Sequence, residues 1–346
     1  AAVTSALSCG TAFAADEVIY TITSSQDITE TVNEVRDYQE GSVPGNLHLF
    51  SISGGETVVN ADNLNASITS SMPADGTTQL QTLAFKLTNG ATLNLSGDSA
   101  NIQVTTDTYG TNHSQTAAIN LYGGSKVLVS AQETTVSVKS LRKNGKAVYG
   151  VSAGEDSTIT FSGETVNFII DTATDRDTVP GNINHRGEAV AIDAWDGGMV
   201  ESSENTHINI QVTGTGATAV DESEQYPTGA SNLYGIVAEG GSIHLNGTNQ
   251  IQVNGDAGRI MAIKVTNGSY TNTGGEHQNE GAVVLGKDST ITASGNGDVY
   301  GIVAEEFELV EGDGTAQGAV ALTSNGALTI TVNGGEDKKA VGIDVG

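Results

Sequence analysis

The chain has 346 residues, a formal charge of −27 from 41 acidic against 14 basic side chains, and 44 glycines. That surplus of carboxylates argues against non-specific nucleic-acid binding and against anionic membrane surfaces, since both need clustered Lys and Arg. Apolar residues make up 37% and aromatics 5%, and with scarce Pro and abundant Gly, Asn, Ser, Thr and Val this favours many short strands and tight turns over long helices.

In chain order, residues 1–14 (AAVTSALSCGTAFA) are small and apolar. Ala12-Phe13-Ala14 before Ala15-Asp16-Glu17 fits a small-x-small signal-peptidase site, so this stretch reads as the remnant of an export signal. Its charged n-region is missing, and the sequence is therefore expected to begin inside the signal. A lipoprotein reading centred on Cys9 is weaker, because Leu7 stands one residue away from its place in a lipobox. Cleavage after Ala14 would remove Cys9, the sole cysteine, and with it disulfide and thiol chemistry.

Residues 15–46 carry mixed charge, with Asp27 to Arg36 matching the later pattern poorly, and are expected to form an opening or capping segment. From 47 to 346 apolar and polar residues alternate for four to six positions before Gly, Asn or Asp intervenes, the mark of strands and turns. No stretch reaches the roughly 20 apolar residues of a membrane-spanning helix.

Self-similarity is the strongest signal. One element reads Ala147-Val148-Tyr149-Gly150-Val151-Ser152-Ala153, then Leu233-Tyr234-Gly235-Ile236-Val237-Ala238, then Val299-Tyr300-Gly301-Ile302-Val303-Ala304. Looser copies are Ala117–Leu121, Ala189–Ala194, Ile260–Val265, Ala319–Leu322 and Ala340–Val345. A second element, a turn leading to a short strand, is read at Asp156–Phe161, Gly241–Leu245, Asp288–Thr292 and Gly326–Ile330. A third is read at Val166–Phe168, Ile208–Val212 and Ile251–Val253. Three short strands per unit cannot bury their apolar side alone, so the units are expected to stack as coils about 4.8 Å apart, with Ile, Val and Leu inside and Thr, Asn and Gln outside. At roughly 25–30 residues per unit the periodic region would hold about eleven coils over about 50 Å.

With the signal site, the cysteine-free mature chain and the YGI-V-A and DSTIT repeats, the sequence resembles the passenger domain of an autotransporter over most of its length. The resemblance implies an all-β fold, a right-handed parallel β-helix with three strands per coil, delivered to the bacterial cell surface by a C-terminal β-barrel in the outer membrane. No barrel is recognisable and Gly346 falls mid-repeat, so a fragment of a longer polyprotein is expected. Passengers of this type include adhesins, proteases, esterases and toxins, and the fold does not choose between them.

No residue is assigned as catalytic, cofactor-binding or metal-ligating. Gly97-Asp98-Ser99-Ala100 is similar to the start of a GDSL-type esterase block, but it sits between Leu93–Leu95 and Ile102–Val104 and reads as a turn. His48, His113, His185, His207, His244 and His277 have no metal-ligand spacing and are expected to be solvated. Gly145-Lys146 and Gly286-Lys287 lack the Ser or Thr of a phosphate loop. Gly295–Asp298, Glu311–Gly314 and Gly334–Asp337 match no calcium-loop pattern and read as solvated turns. Asp193, Asp196 and Glu201 near Trp195 are the one acid-plus-aromatic cluster that could serve a polysaccharide-cleaving solenoid enzyme. A lone Trp packed on the coil is the plainer reading. The expectation is therefore a non-enzymatic adhesin or interaction stalk without a cofactor, meeting glycans or proteins of host or neighbouring cells. Its binding loops are expected at the insertions Asp171–Gly187, Asp221–Ser231 and Thr266–Gly281.

Overall fold

The computed structural model describes residues 16–38, 45–71, 81–107, 115–140, 147–173, 188–215, 232–255, 257–272, 275–305 and 320–345. Among them there is no helix. Three parallel sheets of ten, nine and nine strands run side by side, and the chain visits them in turn. Each circuit is one coil of a three-strand-per-coil parallel β-helix. Nine coils are complete, and Ala340–Val345 opens a tenth.

The first sheet is built from Glu17–Ile22, Asn46–Ser53, Gln81–Thr88, Gln115–Leu121, Ala147–Ala153, Glu188–Trp195, Asn232–Glu239, Arg259–Thr266, Asp298–Glu305 and Ala340–Val345. The second runs from Gln26–Ile28 to Val320–Ser324 and the third from Val32–Asp37 to Leu328–Asn333. Residues 17–37 therefore build a coil of the same kind as the rest. It carries an ion-pair cluster in which Arg36 meets Glu17 at 2.7 Å and Glu34 at 2.8 Å.

Coils are longer than the sequence period indicated. Register partners stand 27 residues apart between Asn232 and Arg259 but 44 apart between Glu188 and Asn232. Fewer coils result, and the ten layers of the first sheet span about 43 Å at ~4.8 Å per step. Long connections also displaced some repeat assignments. Ala321 and Leu322 pair with Ala282 and Val283 in the second sheet, not the first. Ser289–Gly295 and Leu328–Asn333 belong to the third sheet, not the second. In those coils residues 267–280 or 306–319 intervene between the first and second strands, and the inward alternation of second- and third-sheet strands is the same. Alternation identifies a strand without saying which side of the coil it forms. Within the first of these insertions, Gly268–Asn272 and Gly275–Asn279 pair as an antiparallel hairpin.

The core is one continuous apolar column filled from all three sheets. Within it Phe85 and Leu87 of the first sheet, Leu93 and Leu95 of the second and Ile68 of the third are fully buried. Each such side chain contributes about 1.5–3 kcal/mol of burial free energy. Phe50 stacks on Phe85 one coil away at 4.8 Å, and Tyr20 stacks on Phe50 at 5.0 Å. The Tyr-Gly repeat has a packing cause. A Cβ on Gly150 would lie 2.5 Å from the Ala191 carbonyl oxygen and 3.1 Å from Phe168; one on Gly235 would lie 2.6 Å from Ile251. Third-sheet side chains reach across the narrow interior to the first-sheet backbone at these points, and only Gly leaves them room.

The expected in-out alternation breaks at this position, in coils with Gly and in coils with Ala alike, as at Ala191-Ile192 and Ala262-Ile263. Gly235 and Ile236 both turn to the core, while Tyr234 and Val237 stand on the other side of the sheet. Outward positions of the first sheet are thus not uniformly polar. Beside Gln115 and Asn120 they hold a second apolar cluster of Val190, Tyr234, Val237, Met261, Tyr300 and Val303.

Polar outward columns form ladders on the second sheet. Asn94 Nδ2 donates to Asn60 Oδ1 at 2.8 Å, and Asn60 Nδ2 donates to Asp27 Oδ1 at 3.0 Å. The next rung is Leu128, 43% exposed, and Asn94 Oδ1 is buried without a partner. Leu128→Asn should extend the ladder, adding about 0.5–1.5 kcal/mol of stability for the bond gained and so raising the thermal midpoint; calorimetry showing a lower midpoint would contradict the ladder. Gly235→Ala should lower it, because the new methyl meets the Ala262 carbonyl oxygen at 2.7 Å.

Candidate functional site

The outward columns of the first sheet gather the chemistry. A partly open groove of about 620 Å³ lies there, and five successive coils line it. Gln115, Asn120 and Tyr122 come from the fourth coil, Tyr149, Ser152 and Glu155 from the fifth. Glu188, Val190, Asp193, Trp195 and Asp196 come from the sixth, Tyr234, Val237 and Glu239 from the seventh, and Lys264 from the eighth. Residues some forty positions apart in sequence become neighbours because parallel register stacks equivalent positions: Ser152 pairs with Asp193, Asp193 with Val237, and Val237 with Lys264.

Asp193 is 8% exposed. Ser152 Oγ donates to its Oδ2 at 2.8 Å, and Trp195 Nε1 donates to Ser152 Oγ at 3.1 Å. Among the described residues Ser152 is the only hydrogen-bond donor recorded for this carboxyl. Burial is the main force on it, pushing its pKa from 3.8 up to about 8; the Ser152 bond opposes, and the Glu188 and Glu239 charges add to the rise. Glu188 is raised as well, first by burial, while the Tyr149 hydrogen bond and Lys264 pull the other way. Tyr149 donates to Glu188 Oε1 at 2.7 Å, and burial with the surrounding carboxylates holds its phenol well above the usual range. The Lys264 ammonium lies 6.0 Å from the centre of the Tyr234 ring.

Trp195 is held by local backbone. Asp196 (φ 50°) and Gly197 (φ 76°) both have positive φ, and Gly198 N bonds Trp195 O at 2.9 Å, a tight turn of the I′ kind. One coil away Glu155 and Asp156 make the same turn, closed by Ser157 N to Gly154 O at 3.1 Å. The indole lies against Gly154, where a Cβ would come within 2.2 Å of the ring. Packing and lining are therefore one role for Trp195.

Of the sequence cluster, Asp193, Asp196 and Trp195 meet in the groove. Glu201 does not: it lies on the second sheet, accepting a bond from Thr160 Oγ1 at 2.9 Å. Tyr149, Ser152, Glu188, Tyr234, Glu239 and Lys264 went unrecognised. The repeat itself held a signal, since Ser152, Asp193 and Lys264 replace Val237 and Val303 in one outward column.

The remaining candidates scatter. Gly97–Ala100 is a corner between second and third strands, with Asp98 N bonded to Asn63 Oδ1 at 2.7 Å. His48 corrects the expectation of solvated histidines: it is 1% exposed and bonds Gln81 Oε1 at 3.2 Å, and burial with Lys86 nearby holds its pKa low. His207 pairs with Thr248 Oγ1, and His244 is half-buried on the second sheet. Gly295–Asp298 and Gly334–Asp337 are corners where Asp298 Oδ1 accepts from Lys339 N at 3.1 Å. His113, His185, the His277 side chain, Gly145-Lys146, Glu311–Gly314, residues 1–15, 174–187 and 221–231 lie outside the described residues. Among the described residues no three His, Cys, Asp or Glu side chains are arranged for a metal ion, and no helix is long and apolar enough to cross a membrane.

Asp193 ties stability to pH. Its folded pKa lies above its unfolded value, so the folded state keeps a proton that the unfolded chain has lost between about pH 4 and pH 8. Stability from this group is full at acid pH and falls as pH rises through that window. Asp193→Asn should remove the penalty, its advantage in thermal midpoint growing from pH 4 to pH 8 and then levelling. A constant difference across that range would contradict the buried, protonated carboxyl.

The chain matches no family model, no curated protein and no solved structure, so the fold and this groove are what bear on function.

Proposed function

We propose that this chain is the surface-exposed or secreted passenger of an autotransporter, acting as an interaction stalk rather than an enzyme and holding proteins or glycans of host or neighbouring cells. The groove on the outer face of the first sheet carries the reading. Five coils supply aromatic walls and a buried carboxyl to it, and burying Asp193 costs stability that a purely structural strand would have no reason to give up. Stacked coils add a long surface on which further contacts can repeat. The small-residue signal at 1–14 and a mature chain without cysteine fit export. Membrane attachment, in this reading, comes only through a C-terminal β-barrel.

A second reading has one observation in its favour. A carboxyl that holds its proton up to about pH 8 beside Trp195 is what a general acid for glycoside cleavage requires. Glu201 has no part in it, and the second carboxylate would be Glu188 or Glu239, which share the groove.

Binding of the purified chain to mammalian and bacterial cells, matrix proteins and a glycan array separates the two. The interaction reading expects binding that falls at least tenfold in Trp195→Ala and Tyr234→Ala with circular dichroism unchanged, and no release of reducing ends from polysaccharides. Binding indifferent to both substitutions would contradict it, and reducing ends lost in Asp193→Asn would establish the second.

A further inference from the structure

We propose that the groove receives a lysine or arginine side chain of a partner protein, with Asp193 as its counter-ion and the rings of Trp195 and Tyr234 as its walls. This rests on the interaction reading and names the chemistry of the partner.

Three observations converge. Among the described residues the lining holds five carboxyl groups, Glu155, Glu188, Asp193, Asp196 and Glu239, and the ammonium of Lys264, within a chain of charge −27 that steers basic partners toward it. Asp193 is nine-tenths buried, yet accepts a bond only from Ser152 among the described residues, which leaves acceptor capacity facing the cavity. The groove also lodges a cation of this chemistry from the chain itself. Lys264 places its ammonium 6.0 Å from the Tyr234 ring centre and close enough to Glu188 to lower that group's pKa.

The floor decides between sources of the cation. Val190 and Val237 flank Asp193, so a long methylene stem finds apolar cover and its charged head finds the carboxyl. An amino sugar carries hydroxyl groups on the carbons next to its ammonium, and those set against the valines would be desolvated at a cost that a methylene stem does not meet.

Binding has a proton signature. Asp193 faces Ser152 and Tyr149 of the coil before it, Glu188 and Trp195 on its own strand, and Val237, Glu239 and Lys264 of the coils after it. With those carboxylates near and water scarce it holds a proton at neutral pH. An incoming cation favours the carboxylate, so Asp193 releases that proton to solvent as the side chain seats.

Trp195 is the only tryptophan, and its fluorescence reports the site. The purified chain would be titrated with acetyl-arginine amide and acetyl-lysine amide, with acetyl-citrulline amide and acetyl-norleucine amide as uncharged counterparts, and with glucosamine. Expected are at least tenfold tighter binding of the charged amides over their counterparts, affinity rising from pH 6 to pH 8, and calorimetric proton release below pH 8. Asp193→Asn, folded by circular dichroism, should lose tenfold or more. Citrulline binding as well as arginine, glucosamine alone binding, no binding by any probe, or an unaffected Asp193→Asn would each overturn the proposal. If cell or matrix binding still depends on Trp195 and Tyr234 after such a result, the interaction reading stands without this ligand class.

Discussion

No coil of this chain is complete without its neighbours. Each short strand satisfies its backbone only by pairing with the equivalent strand one layer away, and each inner row of aliphatic side chains is covered only by the rows above and below. The three-sided interior is so narrow that side chains of opposing sheets compete for it. Gly150, Gly235 and Gly301 are the result: Phe168, Ile251 and Ile330 lean against the first-sheet backbone where any Cβ would stand. At this same position every coil from Leu49-Phe50 to Ala262-Ile263 turns two consecutive residues inward, and that step fixes which residues of the first sheet face out.

The groove is a by-product of the same register. Once Ser152, Asp193, Val237 and Lys264 share an outward column, and Tyr149, Val190 and Tyr234 share another, hydroxyl, carboxyl, aliphatic and ammonium groups stand one layer apart without any connecting motif. Their mutual burial sets the electrostatics. Three carboxyl groups with limited water cannot all ionise cheaply, so Asp193 keeps its proton, Tyr149 holds onto its own, and Lys264 stabilises the charge on Glu188. A site poised in this way gains from an added positive charge and loses from an added negative one.

Much of the architecture was legible because strand alternation and the Tyr-Gly copies are local patterns. Ala147–Ala153, Leu233–Ala238 and Val299–Ala304 all fall on one sheet, as their likeness implied. Where legibility failed, the cause was length. The connections of the later coils hid the true period, so Asp288–Thr292 looked like a second strand when it is a third. The site was half visible for a similar reason. Asp193, Trp195 and Asp196 are adjacent in sequence and could be grouped, whereas Glu188 meets Tyr149 at 39 residues' separation and only register joins them. Glu201 was grouped by proximity in sequence and is parted by a corner of the coil.

Register between coils is the claim on which both the core and the groove stand, and engineered disulfides measure it directly. With Cys9 replaced, cysteines at Thr160 and Glu201, which are register partners on the second sheet, should oxidise readily, since adjacent strands lie about 4.8 Å apart and within bridging reach. Cysteines at Thr160 and His244, two layers apart, should not. Equal crosslinking of the two pairs, or bridging of the second alone, would contradict the stacked arrangement.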